Sequence, residues 1–346
     1  MKAVVKAEQR RGIQVMDVPV PKIKPNEALV QIKACGICGG DLKLYEGGPG
    51  AFTRIGRKIE LPRIIGHEPS GVVVEVGPEV RTVKVGDRVA SNNSEGCGFC
   101  HNCQLGYFNV CVNRTNIGSF RDGAMAEYCA IPQLHLYKIP DSISYEEAAV
   151  LEPLGVAVRA FETLVRFKAG DDVAVLGPGP IGLLAALVAR ASGAGKVFVT
   201  GRSSSEKRLE LARSLGFTTI NVEKENVRDV VFAATEGLGV DVVIDSTSKG
   251  TPPEALTLLK GVGQLVISAS LEGQVSFDAY ELKSRSVIIT LNRSTNPSTW
   301  FRAINLVASG QVDVKSVVTH KVRIEDADQA FQALCRREAV KALILP

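Results

Sequence analysis

The sequence has no long apolar run, no block of like charge and no internal repeat, and each absence removes a class of protein. No stretch approaches the ~18 consecutive apolar residues expected of a membrane span, and no N-terminal run carries a secretory cleavage pattern. A cytoplasmic location without a membrane partner is therefore expected. The 41 basic and 37 acidic residues leave a formal net charge of +4, spread along the chain. A nucleic-acid surface would leave a basic block, so no polymeric partner is expected. No period of ~20–50 residues recurs and no low-complexity linker divides the chain, which excludes solenoids and tethered modules. What is present is a chain of 346 residues, 45% hydrophobic and 23% charged, long enough for two domains and a sizeable core.

Eight cysteines in a reducing compartment call for an explanation other than disulfides. Four of them form Cys97-x2-Cys100-x2-Cys103-x7-Cys111, a spacing that lets four thiolates close around one tetrahedral zinc ion and leave no open position. Such a closed site is structural. His101 lies inside this loop but is not needed to complete four ligands, and is expected at the surface. A second set is dispersed: Cys38 in Cys35-Gly36-Ile37-Cys38-Gly39-Gly40-Asp41, His67 and Glu68 after Gly66, and Glu152 before Pro153-Leu154. Three mixed S, N and O ligands with room for water or substrate would make a catalytic zinc site. Spacing alone does not separate that reading from a buried thiol, a hydrogen-bonded histidine and solvated carboxylates.

The chain changes rhythm along its length. Up to about Leu154, short alternating runs such as Glu27–Ala34, Gly71–Val76 and Ala126–Ile131 are separated by Gly and Pro turns, which reads as antiparallel β structure with long loops. From about Gly155, six short apolar runs follow one another: Val173–Leu176, Val197–Thr200, Thr218–Asn221, Val242–Asp245, Gln264–Ser268 and Val287–Leu291. Helix-length segments lie between several of them, which predicts an α/β domain with a doubly wound parallel sheet over 155–297. The tail, with helices expected at Thr299–Ala308 and Asp326–Leu334, is expected to return to the first domain, so that 298–346 completes 1–154.

Gly177-Pro178-Gly179-Pro180-Ile181-Gly182 follows the first of these strands and opens an apolar helix, as a dinucleotide fingerprint requires. Its glycines permit a tight turn, close approach of backbone to pyrophosphate and close packing of helix on strand, while the helix N-terminus presents N–H groups to the phosphates. The acid that normally binds the ribose 2′-hydroxyl at the end of the second strand is missing; Gly201-Arg202-Ser203 stands there instead. A guanidinium with neighbouring hydroxyls suits a 2′-phosphate, which predicts NADP(H) over NAD(H), although a solvated arginine would look the same.

Together these motifs resemble the zinc-containing medium-chain alcohol and polyol dehydrogenases, especially their sorbitol dehydrogenase branch. The matching motifs are Gly-Ile-Cys-Gly-x-Asp, Gly-His-Glu, the four-cysteine loop, Glu-Pro-Leu and Gly-x-Gly-Pro-Ile-Gly. The resemblance spans nearly the whole chain and implies a β-rich GroES-like catalytic domain joined to a Rossmann coenzyme domain. It implies two zinc ions per chain, and a homodimer or homotetramer. It also implies Cys38, His67 and either Glu68 or Glu152 as catalytic ligands, with Asp41 orienting them and Arg293 anchoring a glutamate near the metal. Cys35 matches no ligand position and is expected in the core.

The implied reaction moves a hydride between an alcohol or ketone and the nicotinamide. Gly40 stands where many relatives carry the Ser or Thr of a proton relay, and Lys43 where many carry His. Lys43, a water or Glu152 is then the alternative proton carrier. The leading expectation is a dehydrogenase of polyols, sugars or related secondary alcohols. Threonine dehydrogenase is the second, disfavoured by Lys43, and a non-catalytic zinc-stabilised dinucleotide-binding protein is the third. Substrate choice is expected to rest on pocket loops, including Tyr45–Pro62.

Overall fold

The computed structural model describes residues 1–54, 56–247, 252–269 and 274–346; Ile55, inside the segment Tyr45–Pro62, lies outside the described residues. The chain divides into two compact units, Met1–Glu152 with Ser294–Ser309 and Val318–Pro346, and Pro153–Arg293 with Gly310–Val317. The tail therefore does not return as one piece. Val314 and Val317 of a short turn are buried, and that turn packs against the helix Pro180–Ala191 of the second unit.

A seven-stranded sheet organises the first unit. Its central strand, Glu27–Gly36, is buried along nearly its whole length, as expected of a strand covered on both edges and both faces. Glu68–Val76 pairs antiparallel along one edge, with Gly36 opposite Glu68. The C-terminal strand Lys341–Leu345 pairs antiparallel along the other, with Gly36 opposite Leu343. Because side chains alternate along a strand, Lys341 projects to the same face as Leu343 two residues later. The register thus brings residues 68 and 341 together across Gly36, from positions far apart in sequence. Cys35 is fully buried in the core of this unit, as the sequence suggests.

The second unit holds the parallel sheet. Its six strands run in the order Thr218–Asn221, Val197–Gly201, Val173–Leu176, Val240–Asp245, Leu259–Ile267 and Ile288–Leu291, all in parallel register. This is the doubly wound arrangement expected from six apolar runs alternating with helices. The central strand Val173–Leu176 is buried from end to end, whereas the edge strand Ile288–Leu291 is not. Among the described residues no helix is long and apolar enough to cross a membrane.

One buried histidine ties stability to pH. His135 is 1% exposed, its ring edge lies against Phe108, and Nε2 lies 3.3 Å from the carbonyl oxygen of Gly96, so the neutral ring with a proton on Nε2 donates there. Burial pushes its pKa down to about 4, from an ordinary 6.5. The unfolded chain therefore binds a proton between those values that the folded chain refuses, and stability present above pH 6.5 is lost as pH falls towards 4. In urea unfolding, parent stability should fall by about 1 kcal/mol more than that of His135→Gln between about pH 7 and pH 5.5. Equal losses would show that His135 does not titrate in this way.

Candidate functional site

The helix Gly39–Glu46 starts at Cys38, whose sulfur accepts the N–H of Gly40 at 3.5 Å while the carboxylate of Asp41 accepts the N–H of Cys38 at 3.0 Å. This reciprocal cap fixes the thiol at the positive end of a helix. Gly66, at φ +92°, turns the chain before His67, and a side chain there would crowd Met125 and Cys35. His67 Nδ1 then lies 3.4 Å from Asp41 Oδ1, with both side chains buried. The ligand atoms of Cys38, His67 and Glu68 all lie within 4.8 Å of one another. A thiol, an imidazole and a carboxylate at this range form a donor set that suits zinc, and the carboxylate on the far ring nitrogen is the support such a histidine needs.

Charge is concentrated around these three residues. Burial opposes ionisation of His67, but Asp41 and Cys38 outweigh it and raise its pKa well above the usual imidazole range. Glu68 pairs with Lys341, whose ammonium also donates to the carbonyl of Ile37 at 2.9 Å. Both side chains are 1% exposed. Gly36 makes room for this pair: a Cβ there would overlap the Glu68 carboxylate and stand 2.9 Å from Lys341 Cε. Glu152, from the first turn of the helix Leu151–Glu162, is buried nearby; burial pushes its carboxyl up to about 7, against the pull of His67 and with Glu68 adding to the rise.

The cation on Glu68 is Lys341. Arg293, assigned to the second unit, accepts a hydrogen bond from Arg159 at its carbonyl. Lys43 is exposed on its helix. Lys341 left no signal in the sequence, because a lysine opening a C-terminal strand looks like any other until the register is known.

The second constellation is local. The sulfurs of Cys97, Cys100, Cys103 and Cys111 all lie within 4.8 Å of one another, and those of Cys100 and Cys111 are 3.8 Å apart. Backbone N–H groups point at them: Cys97 N and Asn113 N donate to Cys111 at 3.3 Å, and Cys100 N to Cys97 at 3.4 Å. N–H groups of residues 99 and 100 hold the Cys97 thiol down to about 6. Four sulfurs with backbone donors fit a tetrahedral zinc ion with no position left open. His101 is exposed, at the start of the short helix His101–Gln104.

In the second unit, the glycine turn has the shape its chemistry needs. Gly177 has φ +97°; a Cβ on Gly182 would overlap the carbonyl of Gly177 and stand 2.7 Å from Ser246 Oγ; and a Cβ on Gly179 would meet nothing within 4 Å. Gly179 is thus open on the side where a pyrophosphate would approach. Gly179 caps the helix that begins at Pro180, and Ile181 follows within its first turn. At the end of the second strand, Gly201 is packed: a Cβ there would stand 2.9 Å from Pro178 and 3.0 Å from Leu209. Arg202 is exposed. A carboxylate does stand close by, on Glu223, which accepts the N–H of Ser203 at 3.1 Å. It comes from beyond the third strand, where the fingerprint spacing gives no reason to look.

Comparison with known proteins agrees with this geometry. Residues 24–141 match the alcohol dehydrogenase GroES-like domain, and residues 180–309 match the zinc-binding dehydrogenase domain. The chain is 35% identical over 350 residues to an L-threonine 3-dehydrogenase of Escherichia coli O157:H7, covering 99% of each. It superposes on 2R,3R-butanediol dehydrogenase from Bacillus subtilis with a TM-score of 0.89 at 29% identity, covering 100% of this chain and 99% of that one. A zinc-binding dehydrogenase from Sinorhizobium meliloti 1021, bound to NADP, gives 0.88 at 31% identity with the same coverage. The chain belongs to the zinc-containing medium-chain dehydrogenases, enzymes of GroES-like and Rossmann-like architecture that use a nucleotide coenzyme on a small-molecule substrate.

Proposed function

We propose that this chain interconverts a secondary alcohol of polyol or sugar type and its ketone, at a zinc ion held by Cys38, His67 and Glu68, with NADP(H) preferred over NAD(H). The observation that carries the reading is the close set of those three ligands, Cys38 half-buried and His67 and Glu68 buried, with Glu152 beside it. A non-catalytic protein would have no use for such a set. The bound zinc supplies Lewis acidity toward the substrate oxygen, and the coenzyme supplies the hydride acceptor. The remaining work falls to the protein. Asp41 orients His67, Lys341 holds Glu68, and the buried carboxyl of Glu152 takes the proton that the alcohol gives up. Oxidation of threonine is the second reading, favoured by the 35% identity to an enzyme of that name; its reacting carbon is also a secondary alcohol.

The zinc assignment predicts two different losses. Cys38→Ser should lower zinc from two ions to one per chain by elemental analysis and reduce turnover at least about a thousand-fold, with Tm nearly unchanged. Cys100→Ser should also lose one zinc, but chiefly lower Tm, by roughly 5 °C or more, because that ion contributes folding energy. Full activity in Cys38→Ser would overturn the reading.

For the coenzyme, Arg202 and the hydroxyl of Ser203 favour a 2′-phosphate, while Glu223 opposes it by charge. The kcat/KM ratio should favour NADP over NAD by about ten-fold, fall towards one in Arg202→Ala, and rise in Glu223→Gln. Replacing Gly201 by Asp is a poorer probe, because the new side chain would have to displace Pro178. A parent that prefers NAD would refute the assignment.

Among the described residues the edge strand Ile288–Leu291, with Leu291 67% exposed, has an unpaired side, which favours a homodimer or homotetramer. Sedimentation at micromolar concentration should show no monomer, and a monomer would exclude this.

A further inference from the structure

Within Tyr45–Pro62 the chain folds into a short hairpin, Thr53–Arg54 paired with Arg57–Lys58, in which Arg54 stands opposite Arg57. Like charges on opposed residues repel, so each needs a destination. Arg57 has one: its guanidinium lies 4.2 Å from the ring centre of Phe120, and Nη1 donates to the carbonyl of Arg114 at 3.4 Å. Arg54 is directed at Gly40. A Cβ built on Gly40 would stand 2.9 Å from Arg54 Nη1 and 3.0 Å from Cζ, and closer still to Nη2. The guanidinium thus occupies the space that any side chain at residue 40 would need.

That space adjoins the candidate metal centre, since Gly40 N–H donates to Cys38 Sγ. Arg54 is partly buried, and among the described residues it makes no ion pair or hydrogen bond. Asp41 feels its charge but is already engaged with His67 and the N–H of Cys38. A planar cation with unmatched donors is therefore held beside the place where the alcohol would bind. Its fork suits two oxygens of one oxyanion, which a lysine ammonium does not.

We propose that Arg54 is a specificity-determining residue that binds an oxyanion, chiefly a carboxylate, on the substrate, so that the alcohol oxidised here is a hydroxy acid rather than a neutral polyol. The proposal rests on the dehydrogenase reading at Cys38, His67 and Glu68, and it narrows the substrate class of that site. Gly40 is the other half of the device: a threonine or serine there would push the guanidinium out, and its absence lets the guanidinium in.

The test uses matched acid and neutral alcohols, D-gluconate with sorbitol and L-threonine with threoninol, and sorbitol phosphate to separate phosphate from carboxylate. Reduction of NADP and NAD gives kcat/KM, and titration calorimetry on the zinc-loaded, coenzyme-bound protein gives affinity whether or not turnover follows. The parent should favour an acid over its neutral partner by about ten- to a hundred-fold, mainly through KM. Arg54→Gln and Gly40→Thr should each bring that ratio towards one, Arg54→Lys should keep part of it, and a phosphate preference larger than the carboxylate one would overturn the assignment to acids. Equal treatment of acid and neutral partner by the parent, or a ratio unchanged in Arg54→Gln, would overturn it entirely. Acids that bind through Arg54 when neither they nor neutral alcohols are oxidised would sink the dehydrogenase reading and with it the specificity role, leaving only an oxyanion site at Arg54. Neutral alcohols oxidised without any preference for acids would sink the role of Arg54 and leave the dehydrogenase reading standing.

Discussion

The buried pair of Glu68 and Lys341 is the interaction on which the candidate site depends. Three carboxyl groups, from Asp41, Glu68 and Glu152, and the Cys38 thiol converge with His67 in the interior of the first unit. Carboxylates removed from water cost several kcal/mol each unless opposite charge meets them. Lys341 supplies one such charge, and its other contact, the Ile37 carbonyl, ties it to the chain just before Cys38. A single lysine does not balance the set. A dication among Cys38, His67 and Glu68 would, and would also reverse the tendency of the buried acids to hold protons. The cluster is therefore better suited to a metal than to a neutral hydrogen-bond network.

Gly36 makes that pair possible in the most literal sense. The central strand has residues 68 and 341 on its two flanks, and the only way for both side chains to meet across it on one face is for the intervening residue to have none. Stability of the sheet and preparation of the site are consequently the same packing problem. A change at Gly36 alters the position of Glu68 before it alters anything else.

How much was legible in the sequence follows from how far apart the cooperating residues lie. The four-cysteine loop and the glycine turn were readable, because each site is assembled within a single loop and its spacing states the geometry. The parallel sheet was readable because its buried strands are short apolar runs separated by helices. Cys38, His67, Glu68 and Glu152 were found through motif resemblance, since no periodicity relates residue 38 to residue 152. Lys341 was missed, because only sheet register joins it to Glu68. Glu223 escaped notice for the same reason, as a carboxylate reaching Ser203 from beyond a different strand. Lys43 attracted attention by its position in a motif, and it is exposed on its helix.

Arg54 is the opposite case, a residue whose signal was an absence elsewhere. In the sequence Gly40 reads as a lost relay hydroxyl, which poses only the question of what carries the proton. In three dimensions the missing side chain is a volume, and a guanidinium fills it. The two facts bear on each other. A fixed cation beside Cys38 favours negative charge on whatever binds next to it, and so helps an alcohol part with its proton even without a hydroxyl relay. Proton transfer then requires an acceptor, and the carboxyl of Glu152, buried beside the candidate ligands, is placed to serve as one. Absence of the hydroxyl, placement of the guanidinium and the buried carboxyl are thus mutually consistent parts of one arrangement, in which charge fixed by the fold replaces a chain of hydroxyl groups.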